Sequence, residues 1–176
     1  MVSKQIDITP SFSVTVFAIT DYKDPLRRLI LAKKWSDNRA SYYLGHLLWK
    51  MTPISSLDYD VIVPVPLHWT RYAARGFNQA EDIARVIQRE KQVPLQHLLK
   101  RVKRTHFQCA LASSVRGTNV SNAFSINGVD INLYKDKHIL LVDDLMTTGS
   151  TIREAARELL KLKPRKITVA VACRVI

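Results

Sequence analysis

One stretch, from His138 to Ile152, constrains the fold of this chain more than any other. An uninterrupted apolar run, 139–142, ends in two adjacent acids, Asp143 and Asp144, and a small hydroxyl-rich loop follows before an amphipathic segment begins. An apolar run of this kind predicts a strand that is buried on both faces of a parallel sheet. The acids lie at its carboxyl end, where open α/β sheets place their ligands. The stretch therefore predicts a strand, a binding loop and a helix, in that order.

The loop predicts an affinity for phosphate. Its residues, Thr147-Thr148-Gly149-Ser150-Thr151, place backbone N–H groups and hydroxyls at a helix N-terminus, which suits an anion. Gly149 lets the main chain approach a ligand closely because it has no Cβ. A ligand with a phosphate about one loop away from a vicinal diol matches both the loop and the acid pair, and ribose 5-phosphate has this layout. The alternative is that the Thr and Ser residues only cap the helix, but a cap needs one such residue.

Length and cysteine content set the broad class. A chain of 176 residues suits one domain with a substantial core. The longest apolar stretch near the N-terminus, Val14 to Ile19, is too short for a membrane span or a signal peptide, so the cytoplasm is the expected location. The two cysteines, Cys109 and Cys173, form no metal-like cluster, and we expect neither a structural zinc nor a disulfide.

The charge predicts a polyanionic partner. The formal net charge is +12, from 27 Lys and Arg against 15 acids. A substrate with several phosphates explains a local basic patch, whereas nucleic acid explains a broader one. A basic cluster with one aromatic residue could hold single-stranded DNA by phosphate contacts and stacking, although a solvated loop is the alternative. The cluster consists of Lys100, Arg101, Lys103, Arg104 and Phe107.

The order of the predicted elements indicates an α/β fold with a mainly parallel central sheet flanked by helices. The chain reads as a single domain over 1–176, with an N-terminal strand and helices in 1–58 and a ligand-binding core in 59–176. Residues 1–13 are interpreted as a loose end or as the remnant of something longer. Residues 103–122 lack a strong period, which predicts a functional or mobile loop. The predicted strands are 14–19, 61–63, 98–102, 123–126, 139–142 and 167–173. The predicted helices begin at Asp24-Pro25, near Ala40, after Asn78 and near Ile152.

Three segments resemble known motifs. The acid pair and loop of 143–151 resemble the phosphoribosyl pyrophosphate (PRPP) binding motif of type I phosphoribosyltransferases. Val63-Pro64-Val65-Pro66, followed by Arg71 and Arg75-Gly76-Phe77-Asn78-Gln79, is similar to the pyrophosphate-side loop of the ComF family. The spacing of Thr105, Gln108, Leu111, Arg116 and Asn119 is similar to the flexible catalytic loop of that family. On these motifs, which span 59–173, the chain is identified as a member of the ComF family, related to the GntX-like proteins.

The resemblance implies a site and its ligands. It implies the type I phosphoribosyltransferase fold, with a mobile loop over the active site, and PRPP bound together with Mg²⁺ that has no direct protein ligand. Many relatives carry a cysteine-rich zinc module, which a chain without cysteine before Cys109 cannot build, so that either this member lacks the module or the chain has been trimmed. The implied roles are ribose binding by Asp143 and Asp144, 5-phosphate binding by Thr147, Thr148, Gly149, Ser150 and Thr151, pyrophosphate contact by Arg71 and Arg75, and loop closure by Thr105, Gln108, Arg116 and Asn119.

Two functions remain open on the sequence. In the first, the protein transfers phosphoribosyl from PRPP to an unidentified acceptor, with the role in natural transformation that the ComF resemblance implies. In the second, it binds PRPP or single-stranded DNA without turnover, alone or with other competence proteins. His68 and His106 are candidate bases, but an isolated histidine in a polar loop is more often solvated.

Overall fold

The structure, a computed structural model, describes residues 2–21, 39–67, 72–73, 76–102 and 123–175. Short 3₁₀ turns occupy Pro53–Ser56, Ile131–Leu133 and Leu160–Leu162. The helices described in full are α1 (Arg39–Met51), α2 (Gln79–Lys91) and α3 (Ser150–Leu159). The strands are β1 (Val2–Thr9), β2 (Phe12–Asp21), β3 (Val61–Pro64), β4 (Leu99–Arg101), β5 (Phe124–Ile126), β6 (His138–Met146) and β7 (Lys166–Arg174).

Five strands form one sheet in the order β1-β2-β7-β6-β3, and β4 and β5 form a separate antiparallel pair. The pairs β2–β7, β7–β6 and β6–β3 are parallel, whereas β1 runs antiparallel to β2. Parallel neighbours point the same way, so the carboxyl ends of β2, β7, β6 and β3 lie along one edge. In the register, Pro64 pairs with Val142, and the next residue, Asp143, pairs with Val171. The acid pair therefore lies at the carboxyl edge, one step beyond the end of β3.

Strand β6 is buried on both faces, as its sequence predicts. All four residues of 139–142 are fully buried, and alternate side chains enter different clusters. Ile139 and Leu141 pack in the cluster that includes the apolar face of α3, whereas Leu140 and Val142 pack with α1 and α2. Helices on both faces thus cover β6, which lies inside the sheet between β7 and β3.

Helices α1 and α2 cross at a glycine. A Cβ added to Gly45 of α1 would lie 2.8 Å from Cβ of Val86 on α2, which is closer than side-chain carbons pack. Helix α2 begins where the sequence predicts, because the Asn78 side chain accepts a hydrogen bond from the N–H of Ala80. The glycine and the cap together set how α2 lies against the sheet.

The prediction of a loose N-terminal end is wrong for the described residues of 1–13. They form β1 and the turn into β2, with Val2 opposite Ala18 and Ile6 opposite Val14. Ile6 and Ile8 are buried, while the polar residues around them face outward from this edge of the sheet. The sequence of β1 alternates between polar and apolar residues only over a short stretch. This alternation identifies a strand only once its pairing with β2 is known.

The other described elements confirm the predicted order, with small changes at their ends. The strand predicted over 61–63 extends through Pro64, and those predicted over 139–142 and 167–173 extend to His138–Met146 and Lys166–Arg174. Helix α3 starts at Ser150, two residues earlier than its apolar face indicates. The helix predicted at Asp24-Pro25 and the long segment 103–122 lie outside the described residues.

Candidate functional site

The predicted acid pair occupies the last part of β6, between the ends of β3 and β7. Asp143 is 9% exposed, and its Oδ1 accepts a hydrogen bond of 2.8 Å from the N–H of Asp144. Asp144 is half-buried, as expected where neighbouring residues of a strand face opposite sides. The pair thus offers one enclosed carboxyl group and one that reaches the edge of the site.

Burial raises the pKa of Asp143 well above its usual range, and the negative charge of Asp144 adds to this effect. The positive charge of Arg101 acts on the pKa of Asp143 in the opposite direction. A carboxyl group that retains its proton can donate a hydrogen bond as well as accept one. An acid pair of this kind suits hydroxyl groups, which both donate and accept.

Arg101, on β4 of the antiparallel β4–β5 pair, lies close enough to Asp143 for its charge to act on the pKa of that carboxyl group. Its guanidinium carbon lies 5.2 Å from the ring centroid of Phe124 on the partner strand, a cation–π distance. The sequence groups Arg101 with Lys100 as a nucleic-acid contact, but neighbouring residues of a strand face opposite ways, and here Arg101 is half-buried while Lys100 is exposed. The structure thus separates the two cations. Lys103, Arg104 and Phe107 lie outside the described residues.

The predicted phosphate loop lies directly after the acid pair and leads into α3. Thr147 and Thr148 are exposed, and Gly149 is the N-cap in the left-handed conformation, with φ 78° and ψ 5°. A substituted residue rarely adopts this conformation, and a Cβ here would also lie 3.2 Å from Cδ1 of Ile6 on β1. Glycine is therefore required by the backbone as well as by the predicted ligand.

The described contacts do not support a capping role for the loop hydroxyls. The hydroxyl of Thr148 donates to Oγ of Ser150 at 3.1 Å, and the N–H of Ser150 reaches Oγ1 of Thr148 only at a long 3.4 Å. The helical hydrogen bonds begin with the N–H of Arg153 and the carbonyl of Gly149, so geometry leaves the N–H groups of 150–152 outside the helical ladder. The first turn of α3 contains no acidic residue. A helix end of this kind favours an anion.

The segment after β3 reaches the same edge through two hydrogen bonds. The N–H of Val65 donates to the carbonyl of Val142 at 2.8 Å, and Nδ2 of Asn78 donates to the carbonyl of Val65 at 3.1 Å. The start of α2 is therefore tied to the end of β6, which agrees with a loop that faces the ligand site. The other residues that the sequence assigns here lie outside the described residues: Arg71, Arg75, Thr105, Gln108, Arg116, Asn119, His68 and His106.

Sequence reasoning missed two cations at this edge. Nη1 of Arg153, in the first turns of α3, donates to the carbonyl of Thr148 at 3.0 Å. Arg174 of β7 binds Asp21 of β2, with its Nε 3.0 Å and its Nη2 2.9 Å from Oδ1. The sequence contains no signal that separates these residues from ordinary surface arginines, because their partners are set by the fold.

His138 lies at the opposite end of β6 and is a core histidine. Its Nδ1–H donates to the carbonyl of Asp58 at 2.6 Å, and its Nε2 accepts from the hydroxyl of Thr168 at 2.9 Å. A carbonyl oxygen only accepts, which assigns the proton to Nδ1. Both nitrogens are used structurally, so His138 takes no part in the site.

Two features that the described residues lack limit the chemistry of the site. They contain no group of three or more His, Cys, Asp or Glu side chains placed to hold a metal ion. Among the described helices, none combines the length and the apolar character needed to cross a bilayer. Any metal at the acid pair would thus need oxygen ligands from a bound molecule or from water.

Comparison with known proteins relates the chain to one family. The phosphoribosyl transferase domain family matches residues 72–176. Competence protein F of Haemophilus influenzae is 40% identical over 111 residues, covering 62% of this chain and 48% of that protein. DNA utilization protein YhgH of Escherichia coli K12 is 32% identical over 164 residues, covering 89% of this chain and 70% of that protein. The chain thus spans about half the length of the first relative.

Solved structures support the fold. The glutamine PRPP amidotransferase of B. subtilis, complexed with ADP and GMP, matches with a TM-score of 0.51 and 17% identity, over 76% of this chain and 26% of that one. At this identity the likeness concerns the fold alone. The predicted fold class, a mainly parallel sheet flanked by helices as in type I phosphoribosyltransferases, is confirmed.

Proposed function

Because this chain belongs to the phosphoribosyl transferase domain family and to its ComF group, we propose that it binds PRPP and transfers the phosphoribosyl group to a nitrogen nucleophile. The observation that carries the proposal is the end of β6. There a buried acid and its half-buried neighbour are followed, after a short loop, by a left-handed glycine and a helix N-terminus without an acidic first turn.

Each part of this arrangement corresponds to a part of the ligand. Asp143 and Asp144 receive the ribose 2- and 3-hydroxyls, which donate and accept hydrogen bonds as the acid pair requires. The N–H groups and hydroxyls of Thr147 to Thr151 receive the 5-phosphate, which the positive end of α3 favours. Both ends of the sugar are then held by one continuous segment, which comprises the end of β6, the loop and the start of α3.

The reaction breaks the bond between the anomeric carbon and the pyrophosphate oxygen, and pyrophosphate leaves with the bonding electrons. The lone pair of the nitrogen nucleophile forms the new carbon–nitrogen bond, and the nitrogen releases a proton to water. Stabilisation of the charge that develops on the leaving group is the main requirement. Mg²⁺ would suit this site as an ion carried by PRPP, held by oxygens of that ligand and by water without a direct protein ligand, and it would neutralise charge on the leaving group. In this proposal the guanidinium groups of Arg71 and Arg75 contact the pyrophosphate. Arg116 is the residue proposed to close over the reacting centre.

Calorimetry and a turnover assay test the proposal. Titration of the protein with PRPP and Mg²⁺ should release heat, and a panel of nitrogen nucleophiles, including nucleobases and ammonia, should contain one that releases pyrophosphate. Asp144→Asn should abolish the release, whereas Asp136→Asn, at an exposed position on the opposite edge, should leave it unchanged. Absence of heat with PRPP contradicts the binding proposal. Heat without pyrophosphate from any nucleophile restricts the function to binding.

We further propose that the biological role is natural transformation or another use of incoming DNA. The relatives that match are a competence protein and a DNA utilization protein. This role also admits the second candidate function, which is binding of PRPP or single-stranded DNA without turnover and association with other competence proteins. Its support is the net charge of +12 and the exposed Lys100 on β4.

A salt series separates DNA binding from simple solvation of these cations. Labelled single-stranded DNA should bind with an affinity that falls steeply with salt. The logarithm of the association constant, plotted against the logarithm of the salt concentration, should have a slope of about −0.7 per phosphate contacted. Lys100→Gln should weaken binding, while Lys50→Gln, which removes another exposed lysine, from α1, should not. Equal effects of the two substitutions exclude Lys100 as a contact, and absence of binding excludes the second candidate in its DNA form.

A further inference from the structure

The Thr148–Gly149 peptide decides whether the loop presents a donor or an acceptor to the proposed phosphate. Gly149 has φ 78° and ψ 5°, close to the third residue of a type II turn. A flip of the preceding peptide converts such a turn to type I, in which φ of the third residue is about −90°. Glycine adopts both conformations. In a trans peptide the C=O and the following N–H point in opposite directions. The flip therefore replaces the Gly149 N–H by the Thr148 carbonyl as the group that faces the proposed phosphate site.

Arg153 makes the contact that distinguishes the two orientations. Its Nη1 donates to the carbonyl of Thr148 at 3.0 Å and lies 3.6 Å from the position of a Cβ on Gly149. The carbonyl is thus held toward the guanidinium, and the N–H of Gly149 points away from it. A carbonyl oxygen in the phosphate site would repel the anion, whereas an N–H group binds it.

The position of Arg153 is electrostatically unfavourable without an anion. The residue lies four positions after the N-cap of α3, where the helix macrodipole is positive, and the first turn contains no acidic side chain. A cation there does not serve the stability of the helix. Arg157, one turn later, forms an ion pair with Glu154 and has no contact with the loop among those described.

We propose that Arg153 is a positioning residue, which holds the Thr148–Gly149 peptide in the orientation that donates to a terminal phosphate. This inference rests on the proposed function and deepens it, because it makes the site selective for sugars that carry a phosphate monoester at the end of the chain. The guanidinium acts through the loop, and its charge adds to the positive end of α3.

The test is calorimetric titration with ribose 5-phosphate, with ribose as the unphosphorylated control. Arg153→Gln should raise the Kd for ribose 5-phosphate about tenfold or more, since it should remove the hydrogen bond of the Gly149 N–H to the charged phosphate. Arg153→Lys, which keeps the charge, should recover part of the loss. Arg157→Gln, on the same helix, should change the Kd less than about twofold, the range expected for an exposed ion pair.

A stability measurement separates positioning from a structural role. In the absence of ligand, Arg153→Gln should leave the unfolding temperature unchanged or raise it, because it removes a cation from a helix N-terminus. Addition of ribose 5-phosphate should then raise the unfolding temperature less than in the wild type. A fall of several degrees without ligand, or a wild-type Kd in Arg153→Gln, overturns the inference. If the wild type gives no heat with ribose 5-phosphate, the inference fails; the proposed function fails as well only if PRPP with Mg²⁺ also gives no heat.

Discussion

Replacement of Asp143 by asparagine is expected to stabilise the protein while it removes ligand binding. Asp143 is 9% exposed, and burial together with the charge of Asp144 raises its pKa well above the usual range. Two smaller effects act against this rise: the hydrogen bond from the N–H of Asp144 and, more weakly, the positive charge of Arg101. The folded protein therefore resists ionisation of Asp143, and a neutral side chain of the same shape removes that cost.

The sign and size of the change in the free energy of unfolding follow from proton linkage. The folded protein holds the Asp143 proton at pH values where the unfolded chain, with a pKa near 3.8, has lost it. The wild type therefore loses stability as pH rises from about 4 to the folded pKa, by about 1.4 kcal/mol for each unit of pKa increase. The asparagine of the variant does not titrate, and its side-chain oxygen can still accept the 2.8 Å hydrogen bond from Asp144 N–H. The gain in the free energy of unfolding should be near zero at about pH 4 and largest above the folded pKa.

Urea unfolding followed by tryptophan fluorescence, from about pH 4.5 to about pH 8.5, measures this difference. Asp143→Asn should unfold at higher urea than the wild type at the alkaline end, and the gap should narrow toward the acidic end. Asp136→Asn, at an exposed position, serves as the control and should shift little. The reasoning is refuted if Asp143→Asn is less stable than the wild type at the alkaline end, or if the gap is the same at every pH. Calorimetry on the same samples should show that PRPP no longer binds.

Three further outcomes are expected from the packing and hydrogen bonds. Gly149→Ala should lower the free energy of unfolding by about 1–2 kcal/mol because φ is 78°, and calorimetry should show weaker ribose 5-phosphate binding. Burial lowers the pKa of His138, so the stability that its neutral form contributes is complete above about pH 6.5 and is lost as the pH falls through the folded pKa. His138→Gln should therefore flatten the pH dependence of urea unfolding between about pH 5 and about pH 7.5. Gly45→Ala should destabilise the protein by about 1–3 kcal/mol in urea, because its Cβ would lie 2.8 Å from Val86, and Val86→Ala in the same chain should restore part of the loss.

The sequence by itself determined the elements whose signals are local. The apolar run 139–142, the acids after it and the glycine loop predict β6, the site and α3 without knowledge of any neighbour. Side chains that repeat every 3.6 residues do the same for α1 and α2, and Asn78 marks where α2 begins. The period reports burial directly because each of these elements lies against the core along a complete face.

Only the tertiary structure decided which distant groups meet. The sequence did not predict β1, because half of its side chains face solvent and the strand forms by pairing with β2, which follows it in the chain. Arg101 and Asp143 are far apart in the chain, yet the charge of one acts on the pKa of the other because the fold brings β4 within electrostatic reach of β6. Arg153 and Thr148 are close in the chain, but the hydrogen bond between them requires the left-handed Gly149. Periodicity measures how a segment faces the core, whereas these contacts depend on distances across the fold, which periodicity does not encode.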